Sequence, residues 1–364
     1  FPRLAIMVAL GLLLLSAVFA LLGLRALNAS TARILQERLV LTEVSAGHIE
    51  DLFQQAFNEL MKATTFANFN PASADMSAEQ HVLAHTYGRI GTMTLGVYFL
   101  DSQGRVVLAD PPEIASEEAA LLSIRSSFAQ AGGQYISQPF VEPRSGHAAV
   151  AVTIAVRGND EELVSYLSGL IDLTSRAVTG SLERALSIGH TGHAELVTAE
   201  GMVVASTDPG VFLHPGEHRS PYRANLSGPR ERVIQTMPYE VNGALTGENH
   251  IMALVPLSIA GWGLALGGGE TETLAPVTSL RRNLFLSGLL MLVATLGVTL
   301  WGTRRLVGSV RALTQRAQAM AGGDLATPIR VTEGGEIGAL ADSLNDMRRH
   351  LHDAWESLTR WNIE

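Results

Sequence analysis

The sequence predicts an α+β membrane protein: two antiparallel-sheet lobes between two membrane-spanning helices, followed by a helical relay unit. Three observations predict this. Residues 4–24 and 284–301 are apolar runs without a charged side chain, each long enough to cross a hydrocarbon core of about 30 Å. Residues 25–283 pass from a helical pattern into alternating, β-branched runs with turn signals. Beyond the second apolar run, two heptad-spaced segments flank Gly322-Gly323.

The 364 residues are 47% apolar, with a net charge of −9. The length suits two or three domains. Cysteine is absent, which excludes disulfides and thiolate metal sites. Basic residues do not cluster as a nucleic-acid surface would require. The first apolar run is longer than a signal-peptide core and lacks a following small-residue cleavage pattern, so it is read as a span. Arg304, Arg305, Arg311 and Arg316 favour a cytoplasmic C-terminal segment. Arg281 and Arg282 flank the same span on its other side, so placing residues 25–283 outside also rests on their texture.

In the last segment, Leu306, Val310, Leu313, Ala317 and Met320 form one seam. Ile337, Leu340, Leu344, Met347, Leu351, Ala354, Leu358 and Trp361 form another. A single pair of helices leaves part of both stripes wet, whereas two chains close them into a parallel four-helix bundle. A homodimer is therefore expected. Gly323 ends the first helix. Leu325, Ile329 and Val331 are spaced to pin an extended connector, and Glu336 sits where a carboxylate meets the positive end of the second helix dipole.

Outside the membrane, residues 37–68 read as an amphipathic helix with Leu41, Val44, Ile49, Leu52, Ala56 and Leu60 apolar. VYFLDSQGRVVLAD (residues 97–110) is a hairpin signature, and AELVTAEGMVVAST (residues 194–207) repeats it. Aligning Gly104 with Gly201 also aligns Val106-Val107 with Val203-Val204. Each hairpin precedes a polar region and a second strand pair, so the segment is read as an internal duplication, with lobes near 70–180 and 185–275.

The stretch GGDLATPI…GEIGAL resembles a HAMP domain, the signal-relay module inside the membrane of bacterial receptors, over residues 303–355. FLDSQGRVVLAD, GGQYISQPFVEPRSGHAAVAVTIAV, SGLIDLT and GWGLALGGGETETLAPV, in that order, resemble a double Cache sensor. The resemblance implies two PAS-like antiparallel-sheet lobes within residues 25–283. The distal lobe would hold a small ligand, and the proximal one would pass motion to the second span (284–302). The seam still running over residues 356–364 is read as the start of a coiled-coil linker to an output domain.

In the Cache frame, Arg125 and Phe128 fall on the helix over the distal pocket. Arg125 can clamp a carboxylate. Asp172, interrupting an apolar strand, needs a cationic or donor partner, either a ligand amine or Arg125 itself. Tyr98, Tyr135 and Thr153 supply a wall and hydroxyls. Ser127 and Phe128 stand where amino-acid-sensing relatives have Trp and Tyr, which turns the expectation toward an organic acid or an amine. His190, His193, His214 and His218 have metal-like spacing but fall in Gly/Pro-rich loops, so they are read as solvated loop positions. His350 and His352 are read as surface positions on the second relay helix. No metal or other cofactor is expected.

No nucleophile–base pair, phosphate-cradling loop or dinucleotide fingerprint occurs, so no enzyme activity is expected of this chain. The expected function is that of a two-pass receptor in a bacterial inner membrane, with an exterior sensor and a cytoplasmic HAMP unit. Its output is expected to be a histidine kinase acting on a response regulator, with a chemotaxis signalling hairpin or a diguanylate cyclase as alternatives. A membrane-anchored solute-capturing or adhesive module is the reading from a different class.

Overall fold

A computed structural model describes the chain apart from residues 1, 90–92, 129–132, 159, 184–188, 209, 242–243, 330–334 and 362–364. At helix and strand positions 2–9, 88–89, 241, 244, 306, 336 and 358–361 it describes the backbone alone. Contacts divide the chain into two units, Ala26–Ser279 and Phe1–Arg25 with Leu280–Glu364.

Helix α1 (Pro2–Phe66) enters the first unit as a spine. Ala46, Ile49, Phe53, Ala56, Leu60 and Ala63 recur every three or four residues and are all buried, as a helix stripe facing a core must be. The expected membership of Leu41 and Val44 is corrected: they are 40% and 52% exposed. Below Ala46 the same stripe continues as Ser45, Thr42 and Arg38, polar but buried. Arg38 reaches the sheet, its Nη1 donating to the Ile251 carbonyl at 3.2 Å. The buried face there is polar, so apolar spacing does not mark it.

After α2 (Ser77–Arg89) come β1 (Gly96–Asp101), β2 (Val106–Asp110), α3 (Glu118–Ser127), β3 (Gln134–Ile136), β4 (Phe140–Val141), β5 (Ala148–Arg157) and β6 (Leu163–Asp172). They form a six-stranded sheet in the order β2-β1-β6-β5-β3, with β4 also on β5. Helix α4 (Arg176–Glu183) leads to β7 (His193–Val197), β8 (Val203–Ser206), α5 (Arg219–Leu226), β9 (Val233–Val241), β10 (Ala244–Pro256) and β11 (Gly263–Gly269). This sheet has five strands in the order β8-β7-β11-β10-β9. The two orders are the same, and every pairing is antiparallel. The duplication read from the hairpins is thus a duplication of topology.

The aligned glycines do the same work. Gly104 and Gly201 both turn their hairpins at positive φ, 73° and 74°. A Cβ at either would meet the covering helix region, at 2.9 Å from the Phe128 ring and 2.8 Å from the Arg219 carbonyl. Only glycine fits such a turn pressed under another element.

In the second unit the two apolar runs lie within α1 and α7 (Ala275–Ala321), which are long and apolar enough to cross a membrane. They pack through small residues: a Cβ at Gly288 would meet the Phe19 ring at 3.1 Å, and one at Gly23 would meet Leu284 at 3.6 Å. Helix α8 (Glu336–Trp361) follows the connector. The short α6 (Glu270–Thr273) belongs to the first unit and precedes α7.

Candidate functional site

Strand alternation gives each face of the six-stranded sheet, the distal one in the Cache frame, its own residues. Val97, Phe99, Val150, Val152, Leu167 and Ile171 go to the core shared with α1. The other face carries one row across four strands, because Tyr98 opposes Ser168, Ser168 opposes Thr153, and Thr153 opposes Tyr135. Leu121 and Ile124 of α3 cover it. Thr153 Oγ1 and Ser168 Oγ lie 2.8 Å apart, and Tyr98 donates its hydroxyl to the Ile114 carbonyl at 2.9 Å. Burial, with the Glu117 carboxylate adding to it, pushes the Tyr98 hydroxyl up, so it stays a neutral donor. One step along β6, Tyr166 stacks on Phe128 with centroids 3.8 Å apart, and the Tyr135 ring lies 6.3 Å from both.

The structure therefore groups Tyr98, Thr153, Tyr135 and Phe128 on one face, and adds Tyr166 and Ser168, which the sequence reading omitted. Their parity in VSYLSGLID, two and four residues before Leu170, was the available signal. It does not bring Arg125 and Asp172 together. Arg125 is exposed on the outer side of α3, its Nε donating to the Gly104 carbonyl at 2.9 Å. Asp172 accepts from Thr174 N at 2.8 Å and Thr174 Oγ1 at 2.6 Å, and pairs with His147 Nδ1 at 2.9 Å. The separation is a matter of strand length. Asp172 lies six residues past Tyr166, roughly 20 Å along β6, at the end away from the β1–β2 turn.

That far end has its own charged cluster, which the sequence reading also missed. Arg144 Nε lies 2.5 Å from Glu117 Oε1 and 3.0 Å from Glu142 Oε1. Burial raises the Glu117 carboxyl. Burial works the same way on Glu142, but the hydrogen bonds from Ser145 and Arg144 overcome it and hold that carboxyl at about 2.

The matching face of the proximal sheet is built differently. His193 on β7 opposes Gly267, and His250 on β10 opposes Gly269, so both flank the side-chain-free end of β11. His218 caps α5 from above. The three imidazole centroids lie 5.2, 5.2 and 5.8 Å apart. Glu217 joins them, its Oε2 3.4 Å from His193 Nε2 and its Oε1 accepting from the Tyr239 hydroxyl at 3.1 Å. Burial pushes His218 down to about 3 and His250 down to about 4, so both rings are neutral at neutral pH. Below them burial raises the Glu195 carboxyl, which accepts the Tyr222 hydroxyl at 2.8 Å. The expectation of solvated loop histidines holds for His190 and His214, which are exposed. It is corrected for His218, which is fully buried, and for His193, whose side chain is only 14% exposed. The folding of the pre-α5 loop onto the sheet was not legible in HPGEH.

In the relay segment, Gly323 adopts φ 97° two residues past the end of α7. Ile329 is buried with Leu313 and Ala341, and Leu325 is half-buried. Asn345 holds the connector with both ends of its amide: Oδ1 accepts from Ile329 N at 2.8 Å, and Nδ2 donates to Ile329 O at 2.6 Å. Arg348 donates to the Leu325 carbonyl at 2.6 Å. Helix α8 begins at Glu336 as expected; the Glu336 side chain and Val331 lie outside the described residues.

Paired sheet lobes on a helical spine, joined to a glycine-broken helical hairpin, define a sensor coupled to a relay. The chain belongs to the Cache domain family, whose double-Cache model matches residues 26–277, and a HAMP domain model matches residues 301–353. Together these make it a transmembrane signal receptor with an extracellular small-molecule sensor and a cytoplasmic HAMP unit. Among solved structures it is similar to the ligand-binding domain of the Pseudomonas fluorescens chemoreceptor CtaA in complex with L-isoleucine. That match has 14% identity and a TM-score of 0.50, covering 68% of this chain and 97% of that one. The extracellular domain of rpHK1S-Z16, assigned as a histidine kinase, matches at 16% identity and a TM-score of 0.51, covering 67% and 97%. At these identities the likeness is one of fold.

Proposed function

We propose that the ligand of this receptor is a small organic acid or amine held on the α3-covered face of the distal lobe. The signal then passes to the HAMP unit of a homodimer and on to a cytoplasmic histidine kinase and its response regulator. The receptor sits in a bacterial inner membrane as a two-pass protein, with the bilayer as the partner of its two apolar spans. One observation carries the ligand assignment. Tyr98, Ser168, Thr153 and Tyr135 form a polar–aromatic row across four strands, roofed by Phe128 and α3. Such a row can orient a polar ligand while aromatic rings exclude water from it. Arg125 stands at the rim and can swing from Gly104 to a ligand carboxylate. Asp172 serves the lobe through His147 and Thr174.

Binding can drive the relay only through unequal affinity for two arrangements of the dimer. The test is thermal shift of the full chain in detergent against organic acids, amines and amino acids, repeated with Thr153→Val and Phe128→Ala. A stabilising compound should lose most of its effect in both variants. A compound that stabilises both variants as much as the parent would place the ligand elsewhere. Arg125→Ala should weaken acids selectively; equal loss for acids and amines would remove Arg125 from the site.

A further inference from the structure

We propose that His193, His218, His250 and Glu217 form a binding site for one divalent transition-metal ion of the zinc type, on the proximal lobe. The four side chains come from β7, the loop ahead of α5, and β10, and each offers one ligand atom within 4.8 Å of the other three. A tetrahedral ion with bonds of about 2.0–2.1 Å holds its ligand atoms about 3.3 Å apart. The His193 Nε2 to Glu217 Oε2 separation of 3.4 Å is already at that value. The other separations, at most 4.8 Å, need to close by no more than about 1.5 Å.

The nitrogen atoms make the stronger case. His193 Nε2, His218 Nε2 and His250 Nδ1 are buried, and among the described residues none has a hydrogen-bond partner; His193 Nε2 meets only the Glu217 carboxylate, at 3.4 Å. A buried polar atom left unpaired is costly, and three in one cluster call for a shared explanation. Protonation does not provide it, because among the described residues neither His218 Nε2 nor His250 Nδ1 has a partner to accept a proton's hydrogen bond.

The neighbours also fix the rings as ligands. His218 Nδ1 lies 2.6 Å from the Pro238 carbonyl and must donate to it. In a neutral ring the lone pair then sits on Nε2, facing the cluster. His193 Nδ1 faces the Thr191 carbonyl at 3.3 Å, with the same consequence for its Nε2. Glu217 is steadied by Tyr239, whose ring also stacks on His250 at 4.3 Å. Metal-bound histidines are oriented in this way by carbonyls on the second nitrogen. Three imidazoles and one carboxylate suit zinc, nickel, copper or cobalt; magnesium and calcium prefer oxygen ligands.

The position is informative as well. Thr191 and His190 donate their backbone N–H groups to the Glu272 carboxylate at 2.8 and 2.7 Å. Glu272 lies on α6, three residues ahead of α7. An ion drawing in His193 would act on this tie, giving the proximal lobe an input separate from the distal ligand.

The test uses the full chain without a histidine tag, in detergent, stripped with a chelator and titrated with Zn²⁺ by calorimetry. One Zn²⁺ per chain is expected, and Co²⁺ should give the visible bands of a four-coordinate nitrogen/oxygen site. Loss of an outer partner of a metal ligand typically costs about 10–100-fold in affinity, so removing a ligand should cost at least that. His193→Gln, Glu217→Gln and His218→Ala should each do so, and His190→Gln and His214→Gln, both at exposed positions, should not. His193→Gln, at a partly exposed position, keeps the test valid if His218→Ala fails to fold. No stoichiometric Zn²⁺ binding by the parent chain, or binding unchanged in His193→Gln/Glu217→Gln, would overturn the assignment.

Discussion

Replacing Glu142 with Gln should destabilise the distal lobe at neutral pH and leave it nearly unaffected near pH 2. The Glu142 side chain is 1% exposed, and its carboxylate accepts from Ser145 N at 2.7 Å, Arg144 N at 3.1 Å and Arg144 Nε at 3.0 Å. Those bonds hold its pKa at about 2 against an ordinary 4.5. At 1.36 kcal/mol per pH unit, that difference corresponds to about 3.4 kcal/mol. Arg144 is 42% exposed, so solvent screens part of the interaction. About 2 kcal/mol is the expected loss in the Gln variant.

The folded pKa lies below the unfolded one. The contribution is therefore complete above about pH 4.5 and disappears as the pH falls through about 2. The difference between parent and Glu142→Gln should be about 2 kcal/mol at about pH 6 and should shrink steadily below about pH 4.5. Urea unfolding of the full chain in detergent, followed by pulse proteolysis of the sensor region, reads both curves. A gap that stays constant between those pH values would mean that the amide costs packing rather than charge. No gap at neutral pH would refute the role of the cluster altogether.

The dimer makes a second prediction. Leu340, Met347 and Leu351 are 53%, 54% and 47% exposed on α8 of the single chain. The chain has no cysteine, so Met347→Cys gives a clean probe. It should form disulfide-linked dimers in membranes; Arg349→Cys, on another face, should not. Asn345→Ala should loosen the connector by about 2 kcal/mol, about 1 kcal/mol for each hydrogen bond lost, seen as faster proteolysis between α7 and α8. Asn345→Asp keeps the acceptor but sets a carboxylate oxygen against the Ile329 carbonyl, so it should loosen the connector at least as much. Trp262→Ala, at a site 3% exposed and edge-on to Phe53 at 5.7 Å, should cost the sensor about 3–5 kcal/mol in unfolding.

Hairpins, duplication and relay were legible because each rests on local rules: period-two alternation, a turn glycine, a heptad seam. The aromatic wall of the candidate site was legible for the same reason, since Tyr98, Tyr135 and Thr153 lie on strands whose parity is fixed by their neighbours. Partnerships across the sheet were not. Asp172 finds His147, 25 residues earlier, only because β5 and β6 pair in a register that brings Ala149 opposite Asp172. His250 is one polar residue before the apolar run IMALV, and only the order β7-β11-β10 sets it near His193. Arg125 was assigned by family position, but the turn of α3 puts Ile124 and Phe128 inward and leaves Arg125 outside.

The stripe on α1 has a thermodynamic consequence. Its buried apolar residues belong to one continuous core that also contains Val97, Phe99 and Leu167 from the distal sheet, Leu196 and Leu264 from the proximal sheet, and Trp262 just ahead of β11. Neither sheet owns its half of that helix. Loss of one lobe would strip cover from side chains that the other still needs, so the two cannot melt independently. Heating should show a single cooperative transition for the pair, and amides of both sheets should share the slowest hydrogen-exchange class. A compound that tightens the distal lobe would then slow exchange in the proximal one without touching it.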